Sequence, residues 1–205
     1  MTSHIVAPGT LPAAGFELRL PEHWFDLSVA DEASENSIAR RTWEQCRAAG
    51  FDEAEAGRFT ESVRRSVRQA RRSGALHAGG TFELYDDGPL TATIVVASAT
   101  PPANGDVVGA LLAPAEETPA TSTTWHRIGT AELPGIGTAA RVHGVHDVAL
   151  DGETMRCVFM HTVVRIPASA GVLVVTGSSP NLAEADELFE LFATVTATLR
   201  FTEPR

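Results

Sequence analysis

ARVHGVHDVAL (140–150), DG (151–152) and ETMRCVFMHTVVRI (153–166) decide the fold. Two runs rich in β-branched and apolar residues flank Asp151-Gly152, a dipeptide that suits both left-handed positions of a type I′ turn, so the segment reads as a β-hairpin. A two-residue turn fixes the register. Leu150 then opposes Glu153, Val148 opposes Met155, His146 opposes Cys157, Gly144 opposes Phe159 and Val142 opposes His161. One face gathers His146, Cys157 and His161; the other sets Asp147 against Arg156.

Working outward, Val172 to Thr176 predicts a further core strand, and Ser179-Pro180 reads as the opening of a helix. Leu182, Ala185, Leu188, Phe189, Phe192 and Val195 form that helix's apolar stripe. Thr198 to Phe201 reads as a short closing strand. Upstream, Trp125 to Leu133 is strand-like up to Pro134-Gly135, and 100–124, rich in Pro, Ala, Thr and Gly, reads as a loop with a short helix. Thr81 to Tyr85 and Leu90 to Ala97 around Asp86-Asp87-Gly88-Pro89 predict another hairpin.

Two helices precede these strands. Ile38, Thr42, Cys46 and Ala49 share one face of the first, which Gly50 stops. In the second, Asp52 can cap the first turn while Glu55 reaches back to the cap amide, and Gly74 marks the end. Ala56, Phe59, Val63, Val67 and Ala70 share one arc of it; Arg64, Arg65, Arg68, Arg71 and Arg72 share the opposite arc. Phe16, Leu18 and Leu20 alternate as a strand before Pro21, and Trp24, Phe25 and Leu27 predict a second. Residues 1–15 read as a flexible arm and 16–205 as one domain. Strands, a helix pair, then antiparallel hairpins and a terminal helix define an α+β class: a mostly antiparallel sheet flanked by an N-terminal helix pair and a C-terminal helix.

Composition narrows the function. The net charge is −10, which as a whole-molecule field repels nucleic acid and anionic membranes. All basic side chains are arginine, so lysine nucleophiles and Schiff bases are excluded. No apolar run reaches about 18 residues, so no membrane insertion is expected. With no signal-like N-terminus and two cysteines spaced unlike a disulfide scaffold, the expectation is cytoplasmic.

Gly135-Ile136-Gly137-Thr138-Ala139-Ala140 matches G-x-G-x-x-A, but a strand follows instead of a helix, so it reads as a turn and no nucleotide or other cofactor is expected. His143 and His146 cannot ligate one ion from a regular strand, because residues three apart point to opposite faces. His146, Cys157 and His161 do share a face. They are the candidate set for a zinc site or an activated thiol, against a plain reading in which Cys157 packs as a small hydrophobe. Thr176-Gly177-Ser178-Ser179-Pro180 could bind an anion at a helix N-terminus, though a proline-opened cap explains the same letters. G-x-S-x-G, the P-loop, H-E-x-x-H and C-x-x-C are absent. On the second helix Glu61 can pair with Arg64 and Arg65, whereas Arg68, Arg71 and Arg72 find no acid at helical spacing. They pair with a neighbouring element or face an acidic partner.

Phe16-Glu17-Leu18-Arg19-Leu20-Pro21-Glu22-His23-Trp24, the hairpin at Leu90 to Ser98, the strands around Arg141 and Arg165-Ile166-Pro167, and the closing Leu188 to Phe201 resemble actinobacterial proteins with a PsbP-like α+β fold. The resemblance spans most of Phe16 to Phe201 in order and texture, without an invariant motif. It departs from the photosynthetic members in its arginine-bearing helix pair and the lack of a targeting segment. It implies a non-enzymatic binding or assembly factor, some of which act near specialised secretion systems, and transfers no residue role. Two functions follow: a non-catalytic accessory or adaptor protein that binds another protein through Arg64, Arg68, Arg71 and Arg72, or a small enzyme or metal-binding protein using His146, Cys157 and His161 around an open cleft.

Overall fold

The computed structural model describes residues 15–22, 24–26, 32–48, 50–72, 74–85, 88–103, 105–107, 124–150 and 153–202. The hairpin anticipated around residues 151–152 is present as β6 (Gly137–Leu150) and β7 (Glu153–Arg165). Leu150 pairs with Glu153, His146 with Cys157, Val142 with His161 and Asp147 with Arg156, the register a two-residue turn imposes. The Asp151-Gly152 turn itself lies outside the described residues.

Seven antiparallel strands form the main sheet: β2 (Phe25–Asp26), β3 (Ala75–Tyr85), β4 (Gly88–Ala99), β5 (Trp125–Leu133), β6, β7 and β8 (Val172–Ser179). Their order is β2-β3-β4-β8-β7-β6-β5. A separate pair joins β1 (Gly15–Glu17) to β9 (Arg200–Thr202). The sheet is central and both faces carry apolar rows, so each needs a cover.

On one face Ile94, Val96, Val158, Met160, Val164, Leu173 and Val175 pack beneath α3 (Ala185–Ala197), which contributes Leu188, Phe192 and Val195. Close approach depends on Gly177 in β8: a Cβ there would come within 2.6 Å of both Cδ atoms of Phe192. The other face receives α1 (Glu32–Ala48) and α2 (Glu53–Arg72) at the β3 end, where Ile38, Val63, Val67 and Ala70 meet Ala78 and Val95. The Phe59 ring lies 4.1 Å from that of Phe82. Gly144 serves β5 as Gly177 serves α3, since a Cβ at 144 would sit 2.7 Å from His126 Cα.

The helix signals are present. Asp52 Oδ1 accepts from the Glu55 amide at 2.7 Å, and Glu55 Oε2 accepts from the Asp52 amide at 3.0 Å, a reciprocal capping box. Gly50 and Gly74 close the two helices at φ 90° and 78°. Asp52→Ala should therefore cost about 1 kcal/mol, visible as a lower urea midpoint at unchanged slope.

Three expectations need correction. The opening strand covers only Gly15–Glu17, which takes in the last residue of the expected arm, and Leu18 and Leu20 pack against the core from irregular backbone. Residues 1–14 lie outside the described residues. Strand β3 begins at Ala75, directly after α2, and β4 reaches Ala99, so that hairpin is longer than its turn letters suggested. Ser179-Pro180 does not open the last helix. Strand β8 runs through Ser179, and the helix starts at Ala185, leaving Leu182 exposed. The polar letters serve the sheet end instead: the Asn181 amide donates to Ser179 Oγ, and the Thr91 amide donates to Asn181 Oδ1. Of the 100–124 loop, only 100–103, 105–107 and Thr124 are described; Val107 packs on Val163, Val172 and Val174.

Candidate functional site

The arginine arc of α2 runs along α1. Glu35 of α1 is nearly buried, and Arg68 Nε donates to its Oε1 at 2.8 Å while Arg71 approaches its Oε2 at 3.6 Å. Contrary to the expectation that it lacks an acid on its own helix, Arg68 also donates to Glu61, two turns back, at 3.2 Å, and Arg64 stands 4.0 Å from Glu61. Intramolecular pairing, the rival to a free stripe, thus claims part of Arg68 and Arg71: they clamp the two helices through one carboxylate. Each stays more than a third exposed, at 38% and 39%. Arg72 is exposed and meets no carboxylate among the described residues.

A groove of roughly 400 Å³ separates the outer sides of the helices, lined by Asn36, Arg40 and Trp43 of α1 and Thr60, Glu61 and Arg64 of α2. Thr60 and Arg64, one helical turn apart, each have a buried polar atom without a hydrogen-bond partner among the described residues: Thr60 Oγ1 and Arg64 Nε. Buried donors are nearly always satisfied, and both residues line this groove.

His146, Cys157 and His161 do lie together, on the sheet face that α1 and α2 also share. Cys157 is buried, and His146 and His161 are half-buried. Cys157 is 4% exposed, and burial followed by the charge of Asp147 pushes its thiol up to about 11. Burial, then the neighbouring His146, holds His161 down at about 4, and its Nδ1 bonds Thr176 Oγ1 at 2.9 Å. Burial lowers His146, whose ring stacks on Phe159 at 4.3 Å. Neutral imidazoles beside an apolar ring and a protonated thiol form a packed row; an activated thiolate needs the opposite environment. Among the described residues no three His, Cys, Asp or Glu side chains are gathered as a metal site. The Thr176–Pro180 segment is no helix N-terminus, because Gly177 lies inside β8 under Phe192.

Sequence reasoning missed Glu35, whose role needs the packing of α1 on α2. It also missed a second basic group on the face under α3, where β5 and β6 bring Arg127, Arg141 and His143 together. Their alternation, 141 and 143 on one strand and 125 and 127 on the next, was readable; the pairing of those strands was not.

Fold and site define an α+β protein with a seven-stranded antiparallel sheet and arginine-rich surfaces near both ends of it. No protein-family model matches the chain, and no curated protein matches it. Among solved structures it is similar to LpqN of Mycobacterium tuberculosis, described as involved in cell envelope biogenesis. The identity is 12% over 95% of this chain and 87% of that chain, with a TM-score of 0.43. A superposition at that level transfers neither a site nor a role. Among the described residues no helix is long and apolar enough to cross a membrane.

Proposed function

We propose that this chain is a non-catalytic accessory protein that receives an acidic segment of a protein partner in the groove between α1 and α2. The observation that carries the reading is the groove itself, lined by Arg40, Arg64 and Thr60, of which the buried Arg64 Nε and Thr60 Oγ1 have no hydrogen-bond partner among the described residues. A carboxylate seated there is attracted by both guanidinium groups. Arg68 and Arg71 tie α2 to α1 through Glu35 while staying partly exposed, and Arg72 adds an exposed positive charge at the end of the same helix. Against a net charge of −10 this local patch steers an acidic partner to one face. The two cysteines are free and buried, which suits the reducing cytoplasm as the working compartment. The PsbP-like order of segments adds an accessory role beside a specialised secretion system to this proposal.

The test is an Arg64→Gln/Arg72→Gln variant, which spares the Glu35 clamp. Its stability should stay within about 1 kcal/mol of the parent, while recovery of the partner from native lysate falls, with the largest difference from the parent at low salt, where the lost charges are least screened. Arg68→Gln, which strips Glu35 of its closest cation, should lower stability more than the double variant does. Recovery of the same partner by Arg64→Gln/Arg72→Gln and parent alike would sink the reading.

A further inference from the structure

The two edges of the main sheet differ. At one, β2 contributes only Phe25 and Asp26; at the other, β5 runs nine residues, pairs through all of them with β6 and, among the described residues, meets no strand on its outer side. Every residue from Trp125 to Thr130 is exposed, with Ile128 at 62%. A long edge with unpaired outward N–H and C=O groups is a template for another strand, and folds usually blunt it with proline or a bulge. Strand β5 contains no proline, and its register with β6 is unbroken.

The chemistry beside this edge is one-sided. On the face under α3, Arg127 stands beside His143 and Gly129 beside Arg141. Arg141 Nε donates to Thr162 Oγ1 at 3.2 Å, which fixes the stem, while its terminal nitrogens have no acceptor among the described residues. Burial alone acts on this guanidinium and lowers its pKa, with no carboxylate to offset the cost. His143 is held down by burial and then by the charges of Arg127 and Arg141. Arg127 sits 5.5 Å over the Trp125 ring, and Trp125, His143 and Phe189 pack edge to face as one wall. A Cβ at Gly129 would meet nothing within 4 Å, so a lane without side chains leads from the outer edge of β5 towards Arg141.

We propose that β5 is a docking edge for an extended acidic segment of a protein partner. The segment adds as an eighth strand, lays one Glu or Asp across Gly129 towards Arg141 and sets the next acidic residue on that face beside Arg127. Charge selects this occupant: a carboxylate compensates an arginine that has no counter-ion among the described residues. A second copy of the chain would bring its own Arg127 and Arg141 onto the same face, where they repel. The edge lies five strand spacings from β3, about 24 Å, so it is a second site, independent of the α1–α2 groove.

The probe is a synthetic peptide of about ten residues, alternating Glu and Val with blocked ends, followed by calorimetry and by hydrogen exchange of the β5 amides. The peptide should bind and slow exchange in β5. Arg127→Gln/Arg141→Gln should bind roughly tenfold weaker or worse, and a peptide N-methylated on alternate amides should not bind. Should the double variant fail to fold, Arg127→Gln, at an exposed position, carries the same comparison. Three results would overturn the proposal: equal binding of the N-methylated peptide, which leaves only a charge patch; a dimer that already protects β5 without peptide; or peptide binding lost in Arg64→Gln/Arg72→Gln, which moves it to the α1–α2 groove. Retained peptide binding in that variant, with the natural partner lost, separates failure of one site from failure of the other.

Discussion

Gly177→Val should destabilise the protein by about 3 kcal/mol or more. Strand β8 lies at the centre of the sheet, between β4 and β7, and Gly177 is the floor on which the Phe192 ring rests. A valine there needs space that both Cδ atoms of Phe192 already occupy. Phe192 cannot swing away, because it is 1% exposed and packed among Leu188, Val195 and the sheet. Either α3 lifts or β8 bends, and both expose the main core cluster. Phe192→Ala alone should cost about 3–5 kcal/mol, yet combined with Gly177→Val the losses should fall well short of additive. Denaturant titration of both single variants and the double variant measures that coupling; full additivity would mean that the two sites do not share one space.

Acid should weaken the fold through His161. Its folded pKa of about 4 lies below the ordinary 6.5, because burial and His146 oppose the imidazolium. The unfolded chain therefore takes up this proton first as pH falls. The stability is fully present above about pH 6.5 and is lost progressively down through pH 4, by about 3 kcal/mol in all. His161→Asn, which can still bond Thr176, should flatten the stability profile in that window relative to the parent. Carboxylates titrate in both proteins, so the difference between the two curves isolates the histidine. Parallel curves from pH 7 to pH 4 would show that His161 protonates as readily in the fold as outside it.

The parts of this molecule legible in its sequence are those governed by neighbours in the chain. Asp151-Gly152 set a register that placed His146 beside Cys157 and Asp147 beside Arg156, and the latter pair closes two hydrogen bonds at 2.8 and 3.1 Å. Asp52 and Glu55 announced their helix start for the same reason. What depends on distant packing was hidden. Ser179-Pro180 carried good cap letters, but Asn181 is used to satisfy the Thr91 amide, ninety residues away, and the helix starts later. The arginine arc was visible on the wheel, whereas Glu35, buried between helices, can be assigned to it only once α1 and α2 lie side by side. Arg141 was an ordinary letter in a strand until β5 paired with β6 and no acid accompanied it. The His-Cys-His row was read correctly as sharing a face; only its burial, a property of the whole sheet, decides that the thiol stays protonated.

Hydrogen exchange on the chain with its recovered partner bound shows whether an acidic segment is seated against α2. Exchange should slow in 57–72 and on the groove side of α1, and should not when Arg64→Gln/Arg72→Gln is used instead. Unchanged exchange across both helices in a saturated complex, with protection elsewhere on the chain, would contradict it.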